Sequence, residues 1–142
     1  MTADDRQRGI IEDYALVDDP RERFQLLVET AAAGCPPFPE EARHEGNLVP
    51  GCVSRVWIAT SARPDGSIAV WIDSESPALR ALGALFARIY SGSPPPEILA
   101  TEPVFVERLG IDRQLTPTRL RGLRRLREEI VARALAPCDP GP

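Results

Sequence analysis

One cysteine of this chain stands where a loop would present it. Cys52 lies in the stretch Asn47-Leu48-Val49-Pro50-Gly51-Cys52-Val53-Ser54-Arg55. Proline fixes φ at position 50, and Gly51 is free to take a positive φ, so the pair can turn the chain and lift the next side chain. A lifted thiol does nucleophilic chemistry to the extent that it is thiolate. An unperturbed cysteine, with a pKa of about 8.5, is only ~3% ionised at pH 7, and one unit of downward shift would raise that to about a quarter. Two readings of Cys52 stand side by side: a presented nucleophile, or a small apolar filler of the kind free cysteine often is. Cys35 opens a proline-rich loop and Cys138 lies near the C-terminus; both read as filler. None of the three has the Cys-x-x-Cys spacing of a closed site, so no metal and no cofactor is expected.

Few other groups offer chemistry. His44 is the one histidine; it reads as a solvated loop residue and is the one imidazole able to approach Cys52 as a base. Arg119, Arg121, Arg124, Arg125, Arg127 and Arg133 crowd one C-terminal segment. They read as a solvated face pairing with Glu128 and Glu129, or as a dock for an acidic partner. All 17 basic residues are arginine. Without lysine the chain can form no Schiff base with pyridoxal phosphate and has no P-loop lysine.

Composition narrows the classes further. The chain has 142 residues, 43% hydrophobic and 27% charged, with a net charge of −4. That suits one folded domain, and an acidic balance argues against nucleic acid as a partner. No apolar run approaches the ~18–20 residues of a membrane span. The N-terminal Met-Thr-Ala-Asp-Asp-Arg-Gln-Arg-Gly lacks the basic and apolar regions of a signal peptide. The expectation is a cytoplasmic protein whose three cysteines are reduced, with no structural disulfide.

The elements that must position Cys52 follow from patterning. Apolar spacing predicts a helix over Gln7–Val17 and a second after Asp19-Pro20, an N-cap followed by proline in the first turn. The run from Cys35 to Asn47 reads as a surface loop. Val53–Thr60 and Ser67–Asp73 each carry Val-Trp-Ile and flank the turn signal Pro64-Asp65-Gly66, a β-hairpin. Ser76-Pro77 opens a helix ending at Gly92, and Pro-Pro-Glu-Ile-Leu opens a short one. Pro103–Leu109 forms another, closed by Gly110. Thr116-Pro117 opens the last, with Leu120, Leu123, Leu126, Ile130 and Leu135 on its apolar side. The fold class is α+β: a small antiparallel sheet covered by helices. Two strands are marginal, so a third is expected, supplied by the loop before Cys52. Residues 1–136 read as one domain, with a disordered tail over 137–142. Folding the hairpin about Pro64 puts Cys52 opposite Ser76, near a helix N-terminus that would stabilise a thiolate. Asp73 and Glu75 would push the other way. Val53 and the hairpin–helix junction are expected to shelter the sulfur.

These pieces together resemble the SufE family, sulfur-acceptor proteins that work with cysteine desulfurases. The matching segments are Val-Pro-Gly-Cys-Val-Ser-Arg-Val-Trp around Cys52, the helix after the hairpin, Pro-Pro-Glu-Ile-Leu, and Leu-Gly-Ile-Asp-Arg-Gln-Leu-Thr-Pro-Thr-Arg-Leu-Arg-Gly-Leu. With the opening helices they cover Ile10 to Ala134 in the family's order. The resemblance implies that Cys52 takes sulfur from a persulfide on a pyridoxal-phosphate cysteine desulfurase (SufS-like), stimulates that enzyme, and hands the sulfur to an iron–sulfur scaffold. It implies supporting roles for Gly51, Ser54 and Arg119, and a monomer or homodimer. Where the family reads Gly-Cys-Gln-Ser-Gln, this chain has Gly51-Cys52-Val53-Ser54-Arg55, which changes the side chains flanking the transfer site. Arg55, Asp73, Glu75 and His44 complete the supporting or partner-binding set. Two alternatives are an iron–sulfur scaffold built on the three cysteines, since the two families share a fold, and an allosteric desulfurase regulator that transfers no sulfur.

Overall fold

The computed structural model describes residues 1–136; Cys138 and the expected tail lie outside the described residues. In chain order the elements are α1 (Ala3–Ala15), α2 (Pro20–Thr30), β1 (Val56–Ala62), β2 (Ile68–Ser74), α3 (Pro77–Tyr90), α4 (Pro95–Ala100), α5 (Phe105–Arg108) and α6 (Pro117–Leu135). Short 3-10 turns lie at Glu40–Ala42, Glu45–Asn47 and Ile111–Arg113. The class is α+β, as the pattern predicts.

Side-chain caps explain where the longer helices begin. Asp19, Ser76 and Thr116 each accept a hydrogen bond from a first-turn N–H, with proline next in sequence. Helix α1 starts four residues earlier than its apolar spacing suggests. Thr2 and Asp5 form a reciprocal capping box there, ahead of the periodic residues.

The sheet has two strands, not three. β1 and β2 pair antiparallel from Val56 opposite Ser74 to Ala62 opposite Ile68. The segment expected to add a third makes a single bridge, Leu48 with Trp57, closed by Val49 N–H donating to Val56 O at 2.8 Å. Pairing stops there because Pro50 has no N–H and Gly51 turns away at φ +82°. The register also differs. Asp65, not Pro64, is the centre of the turn, its Oδ1 accepting from Ser67 N–H and Oγ–H, with Gly66 at φ +88°. β1 therefore begins at Val56, four residues past Cys52.

Helix α3 is the axis of the core. Nine of its residues are buried, and it touches β2, α1, α2 and α6. Gly83 lets it lie close on the sheet, since a Cβ there would collide with Ile72 Cγ2. Phe86 stacks on Tyr90 and meets Phe105 edge-on at 5.4 Å. Burying these three aromatics stabilises the fold by several kcal/mol, at about 25 cal/mol per Å² of apolar area. Helix α6 closes this core with Leu123, Leu126, Ile130 and Ala134. The stripe ends on Ala134; Leu135 is exposed.

Candidate functional site

Residues 50–55 form a short loop pinned at both ends. At its base Val49 N–H donates to Val56 O. At its exit Arg55 O accepts from Ser74 Oγ–H at 2.8 Å and from Glu75 N–H at 3.2 Å. Cys52 sits inside this loop, half-buried, directly after the positive-φ Gly51. Its S–H donates to the carbonyl of Gly122, at 3.8 Å, in α6. The thiol therefore hydrogen-bonds to α6, while the first turn of α3, through Leu79, lines the same cleft.

A cleft of about 210 Å³ opens beside the sulfur. The loop contributes Cys52, Val53 and Ser54; α3 contributes Leu79; α6 contributes Thr118, Arg119 and Gly122. Arg119 Nη1 donates to Ser76 Oγ at 3.0 Å, and that same oxygen accepts the Leu79 N–H that caps α3. One hydroxyl thus ties the entrances of α3 and α6 together behind the cleft. Val53 lines the cleft but is itself 84% exposed; the sulfur's hydrogen-bond partner is Gly122.

Burial pushes the Cys52 thiol up from its ordinary range, and the nearby Arg125 guanidinium pulls it partly back. The resting group is a thiol donating a hydrogen bond, and ionising it means leaving the Gly122 carbonyl.

Of the residues singled out from sequence, the fold brings Gly51, Cys52, Ser54 and Arg119 together. The others lie elsewhere. Asp73 is held by Arg43 at 2.9 Å and Arg80 at 3.2 Å. Glu75 pairs with Arg55, whose guanidinium lies over Trp57 at 5.5 Å. His44 faces Asn47 at 3.4 Å and does not line the cleft. Gly122 and Arg125 also lie at the site; Gly122 carries no role in the sequence reading, and Arg125 figures there only among the arginines of a solvated face or partner dock. A glycine inside an arginine-rich helix was the available signal, since such a residue usually has a packing reason. Here the helix passes close to the sulfur: a Cβ at 122 would stand 3.4 Å from Cys52 Sγ, in ordinary contact. Among the described residues no group of three or more His, Cys, Asp or Glu side chains is placed to hold a metal ion. Nor is any described helix long and apolar enough to cross a membrane.

The family model of the SufE, Fe-S metabolism associated domain matches residues 8–134. A SufE-like protein of Rhizobium etli is 36% identical over 135 residues, covering 89% of this chain and 90% of that protein. One from Synechocystis sp. is 32% identical over 127 residues, 89% of this chain and 79% of that one. The chain spans only 34% of SufE-like protein 1, chloroplastic/mitochondrial, of Arabidopsis thaliana, at 29% identity and with 89% of this chain covered. Among solved structures, the solution structure of a hypothetical protein from Thermus thermophilus superposes with a TM-score of 0.73 at 24% identity, over 93% of this chain and 97% of that one, a likeness of fold.

Proposed function

This chain belongs to the SufE family, the Fe-S metabolism associated domain, and from that premise we propose that it is a sulfur acceptor whose Cys52 carries persulfide sulfur. The donor is a pyridoxal-phosphate cysteine desulfurase, which the chain also stimulates, and the recipient is an iron–sulfur scaffold. Residues 1–136 act as one domain in the cytoplasm, where the thiol stays reduced.

The observation that supports this best is the placement of Cys52: in a loop pinned at both ends, after Gly51, beside an open cleft containing Arg119. The chemistry is thiol–persulfide exchange. The Cys52 S–H first loses its proton to solvent. The thiolate then attacks the outer sulfur of the donor's persulfide. A new S–S bond forms at Cys52, the donor's S–S bond breaks, and its electron pair leaves as the donor thiolate. The proton on the outer sulfur travels with it, so no oxidant or reductant enters. Arg119 can meet a carboxylate of the partner or the developing thiolate, because a guanidinium stays charged throughout.

The test is intact-mass and peptide mass spectrometry after incubation with a desulfurase and cysteine. The expected result is a gain of about 32 Da, one sulfur, on the Cys52 peptide. Desulfurase stimulation without any such gain would leave the regulator reading. A brown, iron-loaded protein would favour the scaffold.

A further inference from the structure

Two glycines border Cys52, and a different group lies against each. At Gly51 a Cβ would lie 2.6 Å from Arg125 Nε, 2.7 Å from Cδ and 3.0 Å from Cζ. At Gly122 it would lie 3.4 Å from the Cys52 sulfur. So the Arg125 side chain lies across the backbone just before the thiol, while the sulfur rests on the same helix one turn earlier. Among the described residues no carboxylate forms a salt bridge with Arg125.

The geometry points to Arg125 as the positioning cation of Cys52, laid over Gly51 to hold negative charge on the sulfur, as thiolate before transfer and as persulfide anion after it. This rests on the reading of Cys52 as a sulfur acceptor. The groups that each neighbouring element brings to the sulfur are consistent with it. α6 brings Arg119 and Arg125. α3 brings apolar Leu79 and, at its cap, neutral Ser76. The loop brings Val53 and Ser54. The hairpin carboxylates Asp73 and Glu75 are already paired with Arg43, Arg80 and Arg55. Arg119 spends one nitrogen on Ser76, whereas Arg125 is the charge that offsets burial at the thiol. When the proton leaves, the anionic sulfur can no longer donate to the Gly122 carbonyl and is repelled by it. Turning toward the Gly51 side then brings it to the guanidinium.

The test is the pH profile of Cys52 carbamidomethylation in the full chain, read by mass spectrometry, for wild type, Arg125→Ala, Arg125→Lys and Arg119→Ala. Arg125→Ala is expected to move the midpoint upward, slowing alkylation about threefold near pH 7.5, and Arg125→Lys to restore most of it. Raising salt to about 1 M should slow wild type toward Arg125→Ala and leave that variant unchanged. Cys35 in the same digest should not respond. A faster reaction at every pH with a fixed midpoint means that Arg125 is only cover, and overturns the inference. So does a midpoint that moves in Arg119→Ala and not in Arg125→Ala. Failure of the sulfur-acceptor reading shows separately, as wild type that gains no mass from a desulfurase.

Discussion

At the end of α2, Cys35 follows Gly34, which sits at φ +79°, and donates its S–H to Ala31 O at 3.7 Å. In the loop before β1, Cys52 follows Gly51, at φ +82°, and donates to Gly122 O at 3.8 Å. Backbone conformation and hydrogen bond are nearly the same, and both thiols are half-buried. The difference is in what they join. Cys35 bonds a residue four positions back, so thiol and acceptor move as one segment. Cys52 bonds a residue seventy positions away, on another helix. That bond joins the loop to a helix distant in sequence. The space around them differs too. Cys35 lines a cleft of about 490 Å³, whose Arg43 and Arg80 are already bound to Glu40 and Asp73. The Cys52 cleft is less than half that size, and its neighbour Arg125 has no described salt bridge. In the larger hollow Arg43 and Arg80 are paired, whereas its third arginine, Arg88, has no described salt bridge.

Exchanging each thiol gives the greatest contrast. Cys52→Ser should abolish the mass gain from a desulfurase, while Cys35→Ser should keep it within about twofold of wild type, since a hydroxyl is no substitute nucleophile for a thiolate. Sulfur found on Cys35 would erase the distinction.

The glycines sharpen the comparison next. Gly34→Ala meets no atom within 4 Å and should cost only the left-handed strain, about 1 kcal/mol. Gly51→Ala carries the same strain and must also displace Arg125, so it should cost about 1–2 kcal/mol. Denaturant midpoints of the two variants check the order, and equal losses would mean that Arg125 moves aside freely.

Arg119→Ala should lower stability by about 1 kcal/mol through the lost Ser76 hydrogen bond, and should weaken desulfurase stimulation more than its melting temperature suggests. If stimulation is unchanged, the side chain is only a brace.

The smallest effect is a pH dependence. Burial raises the Cys52 thiol, so the folded state keeps that proton to higher pH than the unfolded chain. The stability this contributes is complete below the ordinary thiol range and is lost as pH rises through the raised folded value. Tyr90, pushed up to about 12 by burial, acts in the same direction at more alkaline pH. Thermal melts of wild type and Cys52→Ser should therefore converge as pH rises above the ordinary thiol range, with the Tyr90 contribution common to both.

The parts of the fold legible in sequence are those decided within a few residues. Asp19-Pro20, Ser76-Pro77 and Thr116-Pro117 announce three helices because cap and proline act on their own first turn. The third strand failed for an equally local reason, since Pro50 and Gly51 end the pairing that Val49 begins. Cys52 itself was legible from the glycine before it, although Gly34-Cys35 shows that the same signal accompanies a thiol with no comparable setting. What could not be read was the surface on which Cys52 rests. That depends on how α6 crosses the loop, and the contacts of Gly122 and Arg125 span about seventy residues. The expected opposition of Cys52 and Ser76 pointed to the α3 side of the cleft, where Leu79 lies, and not to α6, because the hairpin register says nothing about a helix outside the sheet.

The hydroxyl of Ser76 has a consequence for how this sequence can vary. It accepts from Leu79 N–H at one helix entrance and from Arg119 at the other. The two positions lie 43 residues apart in the chain, yet a change at one sets the value of the other. Ser76 anchors the Arg119 guanidinium; once an alanine replaces the serine, that anchor is lost, while the place of Arg119 in the cleft beside Cys52 remains. The stability effects of the two substitutions should therefore combine sub-additively.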